Sequence, residues 1–422
     1  MVPKTVNKTG NIVLIVGNFE FPNGNAAGKR VAGIGFILKQ LGYEPVFLGV
    51  DRKQEKSKSV EDSHFEAFGM SAYALPYPQG LINWVNSRVP FEKTMRVVQR
   101  IGLKNIVAFV AYGNPCISIL MNKYRLWCRE NGIFFFADCV DWIQFSEKGL
   151  LHSIIKYLDT NFQKRYVIAR ADAVIVISSY LYDFYSRVGR RVLKLPPVTD
   201  VRLHSAAIAI ALKKYNSGSK TVTPKNFVYA GSPFLIKPNA SPNTFKDRLD
   251  RSISLFYKVF ARTNKFVFDI YGLTRDEYLL VLPQHRKMLE EMKDNVFFHG
   301  NIESCELEKR IIEADFTILH RDDNLVTRAG FPTKISESIS LGVPVIAEST
   351  SNIGDYIVDG YNGVLINPNN ELDRLLDVIA CDAGRMCEMK SNCINDELFD
   401  YRKFVPSFEG ILEINSLPTK IT

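Results

Sequence analysis

Arg328-Ala329-Gly330-Phe331-Pro332-Thr333-Lys334-Ile335-Ser336-Glu337-Ser338-Ile339-Ser340-Leu341-Gly342-Val343-Pro344-Val345-Ile346-Ala347 spells a tight turn, a short helix and a buried strand. Pro332 suits the first helical position, where its missing N–H costs nothing. Gly342 stands where a helix C′ residue takes positive φ, and 343–347 is a short apolar strand. Ile335 and Ile339, four apart, share the helix face that packs on a sheet. Lys334 and Glu337, three apart, share another face that looks out over the helix N-terminus. Backbone N–H groups, a helix dipole, an ammonium and a carboxylate thus converge on one small volume. That suits a ligand carrying both a phosphate and a diol, such as a sugar nucleotide. The same residues read equally well as a capped surface helix with a lone i,i+3 ion pair.

Outward from this stretch, 422 residues exceed one compact core, and two domains are expected. A hydrophobic share of 46% is that of a globular protein. No apolar run reaches membrane-spanning length, the first residues lack a signal-peptide core, and a cytoplasmic protein is expected from the cysteine pattern. The seven cysteines show neither C-x-x-C nor Cys/His metal spacing, so they read as reduced thiols and no metal is expected. The net charge of +8 fits an anionic small ligand or an anionic membrane surface and argues weakly for nucleic acid, which is not expected as a partner.

From its beginning the chain alternates strand and helix. Residues 11–17 form a continuous apolar strand of the kind buried on both faces. A glycine-bearing loop, a helix through Lys39 and a strand at 44–49 follow, a βαβ start with its loop at the strand's C-terminal end. Gly24-Asn25-Ala26-Ala27-Gly28 has the wrong spacing for G-x-G-x-x-G; its small residues allow a ligand close, whereas Gly28 serves close packing at least as well. Helix candidates at 86–105 and 153–170 carry basic residues, among them Arg88, Lys93, Arg96, Lys156, Lys164, Arg165 and Arg170. They read as solvated faces or as faces set against a membrane surface. Asp138 and Asp141 follow the strand 133–137, the position where open α/β sheets place site residues; Asp141 equally well caps the next helix.

Residues 213–225, rich in Lys, Ser, Gly and Thr without apolar rhythm, mark the domain boundary. The alternation restarts at 226–230, followed by Gly231-Ser232-Pro233, a polar insertion at 235–245 and a helix opened by Lys246-Asp247. By itself that lysine reads as a solvated helix start, and His299 as a strand-end packing residue. Strands at 266–271, 296–299, 315–319, 343–347 and 364–366 complete a second α/β domain.

The motifs Phe227 to Pro233, Lys246-Asp247, Val296 to Gly300, Phe331 to Glu337 and Gly342 to Ile346, in this order and spacing, resemble the retaining glycosyltransferases of the GT4 family. The resemblance covers nearly the whole chain, with its specific motifs mostly in the second half. It implies the GT-B fold: two Rossmann-like doubly wound α/β domains facing each other across a cleft. Their expected extents are 1–205 for the acceptor domain, 213–225 for the linker and 226–398 for the nucleotide-sugar domain, with 399–422 packing back on the first. It implies that Lys246 binds the donor pyrophosphate, Glu337 the ribose, and the loop after His299-Gly300 the base. Gly24 and Asn25 would approach the donor phosphate from the other domain, and Ser232, Thr333 and Lys334 count among the donor-binding residues. Asp138 and Asp141 become candidates for the acceptor hydroxyl. Departing from the family, Ala329 replaces a frequent glutamate and Ser232 a frequent arginine, a cation that Arg321 or Arg328 would have to supply.

The implied activity is metal-independent, retaining transfer of a sugar from a nucleotide-diphosphate sugar, with no further cofactor. The acceptor is a glycan or lipid-linked glycan in surface polysaccharide assembly, and the enzyme is peripheral on the cytoplasmic face of the membrane. Two other functions fit the same plan: a sugar-nucleotide epimerase, and a non-catalytic nucleotide-sugar-binding partner of another transferase.

Overall fold

The computed structural model describes residues 10–22, 24–51, 63–76, 88–113, 118–142, 150–216, 224–238 and 240–413. The chain forms two compact units, Met1–Asp200 with Tyr401–Thr422, and Val201–Asp400. The surface loop expected at 52–64 lies largely outside the described residues, as do 217–223 of the expected linker.

In the first unit the apolar runs become β1 (Ile12–Gly17), β2 (Glu44–Asp51), β3 (His64–Ala67), β4 (Met70–Pro76), β5 (Ile106–Tyr112), β6 (Phe134–Cys139), β7 (Ala173–Val176) and β8 (Arg191–Lys194). They form one sheet in the order β3-β4-β2-β1-β5-β6-β7-β8, parallel except where β3 meets β4. The central strands are buried on both faces, which is why they read as unbroken apolar runs. Order reverses between β1 and β5, and the helix Ala26–Gln40 starts just after β1. Asn25 caps that helix, its side chain accepting from the Gly28 N–H at 2.8 Å. Gly28 itself packs: a Cβ there would stand 2.1 Å from the Glu20 carbonyl oxygen. The helix Val405–Glu413, late in the chain, sets Phe408 and Ile411 into this unit's core.

The second unit holds β9 (Lys225–Ala230), β10 (Phe266–Tyr271), β11 (Val296–Gly300), β12 (Phe316–Leu319), β13 (Val345–Glu348) and β14 (Gly363–Ile366). All are parallel, in the order β11-β10-β9-β12-β13-β14. With β9 counted as the first strand this is the 3-2-1-4-5-6 order of a dinucleotide-binding sheet, whose switch point lies between β9 and β12. The helix Ser205–Asn216 belongs to this unit, where Ile208 packs with Leu341 and Val343. The unit boundary therefore falls at Asp200 and Val201, ahead of the Lys- and Ser-rich stretch.

Three local readings need correcting. Pro332 is the N-cap of the helix Thr333–Ser340, one residue ahead of the position expected for it. Asp138 lies inside β6, since the strand runs two residues further than its apolar run. The basic helix expected at 153–170 is an α-helix, Leu150–Phe162, then a π-helical turn, Gln163–Val167, then a 3₁₀ turn, Ile168–Arg170. Lys164 is fully buried instead of standing at the rim, on the face it shares with Thr160, Gln163 and Val167.

Candidate functional site

At the switch point of the second unit, β9 ends in Gly231 with φ +138°, β10 in Gly272 with φ +104° and β11 in Gly300 with φ +68°. Only glycine takes such conformations readily, and here it lets backbone pass close to backbone. A Cβ on Gly272 would meet the Gly231 carbonyl oxygen at 2.5 Å, and the Gly272 N–H donates to the Gly300 carbonyl at 2.8 Å. After Gly231 the chain makes a loop whose end is pinned back: the N–H groups of Lys246 and Asp247 both donate to the Pro233 carbonyl, at 2.8 and 3.2 Å.

That pinning carries Asp247 into the interior, where it is 1% exposed. Its Oδ2 accepts from the Tyr229 hydroxyl at 2.9 Å and from Lys334 Nζ at 2.6 Å. Arg321 Nε, just past β12, stands 3.4 Å from its Oδ1. Burial alone would push the Asp247 carboxyl up; Lys334 and Arg321 outweigh it and hold the group below the usual carboxylate range. Arg321 is also buried, which lowers its own pKa, and its backbone N–H donates to Glu348 Oε2 at 3.0 Å. One buried carboxylate thus gathers two cations at the ends of β9 and β12, with exposed Lys246 adjoining it in the chain.

Lys334 comes from the first turn of Thr333–Ser340, whose N–H groups and dipole attract anions. Ile335 and Ile339 fix that helix, both fully buried beneath it. Its far end closes in a Schellman turn: Val343 N–H donates to the Ser338 carbonyl and Gly342 N–H to that of Ile339, both at 3.0 Å, with Gly342 at φ +72°. Glu337 sits half-buried on the same helix, and Thr333 is half-buried at its start.

The structure therefore brings together Lys246, Arg321, Thr333 and Lys334, with exposed Ser232 following Gly231 directly. Arg328 goes elsewhere: its guanidinium is paired twice with Asp323, at 2.8 and 2.7 Å, on the exposed turn before Gly330. His299 stacks on Tyr271 and lies 2.7 Å from Asp269 Oδ1, at the strand end that Gly300 completes. Sequence reasoning passed over Asp247, Tyr229 and Glu348. The available signal was an acid set between Lys246 and Arg248 just before an amphipathic helix, a pattern normally read as solvated.

The first unit's candidates differ in how far they are committed to other partners. Gly24 is exposed in the turn after β1, and Asn25 is occupied in capping. Asp138 is fully buried, both its oxygens accepting from Arg30, at 2.8 and 2.7 Å. A carboxylate so committed is a strut of the sheet, not a group that meets an acceptor hydroxyl. Asp141, 31% exposed and 3.7 Å from the buried Lys164 ammonium, remains accessible. It does not cap the helix that begins at Leu150, nine residues on.

Residues 234–385 match the family described as Glycosyl transferases group 1. That stretch makes up most of the second unit, which is thus similar to a group 1 glycosyl transferase domain. The whole chain also resembles solved structures. Sucrose-phosphate synthase from Thermosynechococcus elongatus superposes with a TM-score of 0.64 at 12% identity, over 96% of this chain and 98% of that one. HepE from Anabaena, in complex with UDP and glucose, gives 0.59 at 13% identity over 96% and 100%. WaaG, a glycosyltransferase involved in lipopolysaccharide biosynthesis, gives 0.56 at 12% over 94% and 98%. At such identities the likeness concerns the fold, which is GT-B. No curated protein matches the sequence.

Proposed function

We propose that this chain is a retaining, metal-independent glycosyltransferase that moves a sugar from a nucleotide-diphosphate sugar to a glycan or lipid-linked glycan acceptor in surface polysaccharide assembly. The observation that carries the reading is the cation cluster around Asp247, set at the switch point of a 3-2-1-4-5-6 sheet beside a helix N-terminus. Breaking a glycosyl–phosphate bond leaves negative charge on the departing diphosphate. Fixed cations and backbone N–H groups stabilise that charge without reorganising. Lys246 and the amino end of Thr333–Ser340 serve the phosphates, Glu337 the ribose, and the segment after His299 and Gly300 the base. Within the first unit, Gly24 and Asn25 are the donor candidates, and Asp141 is the candidate for the acceptor hydroxyl. UDP sits in the HepE structure, which makes uridine nucleotides the first donors to try.

The reading includes a cytoplasmic, peripheral placement on an anionic membrane. Among the described residues no helix is long and apolar enough to cross a membrane. The helix Leu150–Phe162 instead presents Ile154, Ile155, Leu158 and Phe162 to solvent, with Arg165 exposed beyond it. Apolar side chains rimmed by arginine suit an interfacial helix.

Thermal-shift measurement against UDP-, GDP- and dTDP-sugars tests the donor reading, because a ligand selective for the folded state raises the midpoint. The expected result is a rise with one base, abolished in Lys246→Ala and Glu337→Ala variants that still melt cooperatively. No rise with any nucleotide sugar would sink it. Ala329, fully buried where the family often has glutamate, favours one competing reading, a binding partner without turnover. Donor binding with no sugar transfer or hydrolysis across a glycan panel would establish that reading instead.

A further inference from the structure

Two carboxylates stand at the end of β6 and differ in their partners. Asp138 gives both oxygens to Arg30. Asp141, two residues past the strand end, faces Lys164, a lysine that is fully buried. An ammonium has three N–H donors, yet the one hydrogen bond of this group among the described residues goes to Cys139 Sγ, 3.3 Å away and a weak acceptor. Burial pushes the Cys139 thiol up, so the sulfur brings no charge. With Asp138 committed to Arg30, Asp141 is the carboxylate left to answer the ammonium, across 3.7 Å. The Tyr185 hydroxyl donates to the lysine's backbone carbonyl at 3.2 Å, which fixes the root of its side chain.

At 3.7 Å the pair attracts without hydrogen bonding, and Asp141 Oδ1 is buried with no hydrogen-bond partner among the described residues. The 31% exposure of this side chain therefore belongs to its other atoms, which leaves Oδ2 as the oxygen open to a ligand. We propose that Lys164 is a positioning residue: its buried ammonium turns the Asp141 carboxylate so that Oδ1 points inward and Oδ2 meets the acceptor hydroxyl. The inference rests on the acceptor role proposed for Asp141 and adds how that carboxylate is aimed. A structural role alone accounts poorly for the lysine. A buried ammonium met by a sulfur and a distant carboxylate is destabilising, and an apolar chain in such a place is often neutral or better. The slack in the pair has a use. A tight two-pronged bond, like that of Asp138 with Arg30, would leave no oxygen for a hydroxyl.

The test is a double-mutant cycle on turnover, read as UDP release from UDP-glucose, UDP-galactose and UDP-N-acetylglucosamine. Maltose, lactose and chitobiose serve as acceptors, and water in their absence. Lys164→Met is expected to lower kcat roughly 10- to 100-fold, the effect of a reacting group misplaced by about an ångström. Acceptor KM, UDP affinity by calorimetry and the melting midpoint should stay at the parent values. A merely structural lysine would instead lower the midpoint and spare kcat per folded molecule. Lys164→Gln is measured alongside, so that a fold disturbed by methionine does not decide the result. Asp141→Asn is expected to slow turnover by itself, and Lys164→Met added to it should cause no further loss, because the lysine acts through that carboxylate. Unchanged kcat in both Lys164 variants, or a loss that persists undiminished in the Asp141→Asn chain, overturns the positioning role and leaves that of Asp141 standing. Full turnover by the Asp141→Asn chain, or none by the unaltered chain, removes the acceptor role and this inference with it.

Discussion

Asp247 is the residue on which the second unit's site turns, and its energetics are those of a buried charge. A carboxylate taken from water costs several kcal/mol, and only close partners offset that cost. Here Lys334, Arg321 and the Tyr229 hydroxyl do so, and the carboxyl is held below its usual range. Because its folded pKa lies below that of the unfolded chain, the stability it contributes is full above the unfolded carboxylate range. That stability is lost as pH falls through the folded value. Asp247→Ala, which leaves two cations facing an empty space, is expected to lower unfolding free energy by about 3–5 kcal/mol at neutral pH. The deficit should shrink below about pH 4, where the parent too begins to lose this contribution. Urea unfolding at pH 7 and pH 3 checks both, and an equal deficit at the two values would refute the ionised pairing. Lys246 took its donor role in the sequence only from the family resemblance, whereas Lys334 and Glu337 stood out by their shared place at a helix start. Asp247 was not legible there, because its burial depends on Arg321 and Lys334, which arrive from far along the chain. Asp138 shows the same blindness in the first unit: strand-end position suggested a reactive carboxylate, and Arg30, more than a hundred residues earlier, had already claimed it.

Elements were more legible than residues, since strands buried on both faces announce themselves as apolar runs and a helix end announces itself through glycine. Ile335, Ile339 and Gly342 took their expected places, and the helix between Pro332 and Gly342 was displaced by a single residue. The displacement has a simple cause. Proline lacks an N–H, so it loses nothing at the N-cap or at the first helical position, and its φ of −75° suits both. The π-helical turn at Gln163–Val167 was illegible because reading by period assumes 3.6 residues per turn. Lys164 was misplaced for another reason: a lysine normally marks the solvent side, and this one lies on the buried face with Thr160, Gln163 and Val167. Two substitutions probe the central helix as an element. Gly342→Ala forces a left-handed residue with a Cβ, 3.0 Å from Ile394 Cδ1, and should cost about 1–2 kcal/mol. Ile335→Ala empties a fully buried site and should cost about 2–5 kcal/mol. Denaturant midpoints at constant slope measure both, and a Gly342→Ala chain as stable as its parent would contradict the positive φ.

At the scale of the molecule, the proposed membrane placement rests on charge and exposed apolar surface. The chain carries +8, and the helix Leu150–Phe162 leaves Leu158 60% exposed, Ile154 47% and Ile155 46%. Phe162 and Tyr166 stack face to face at its end, and Arg170 lies 3.8 Å over the Tyr166 ring. The apolar residues would enter the boundary between headgroup and acyl chain, while Arg165 and Arg170 meet anionic headgroups at about 1 kcal/mol each. Two consequences separate the hydrophobic from the electrostatic contribution. Ile154→Asp with Leu158→Asp should abolish co-sedimentation with vesicles of any composition. Arg165→Glu with Arg170→Glu should reduce binding to phosphatidylserine vesicles by one to two orders of magnitude, from roughly 2 kcal/mol lost. That second loss should fade as salt rises, because headgroup attraction is screened within a Debye length of about 8 Å at physiological ionic strength. Failure of the unaltered chain to bind vesicles of any composition would remove the membrane from the proposed function, and binding that survives both aspartates would take it away from this helix, either way leaving the donor reading untouched.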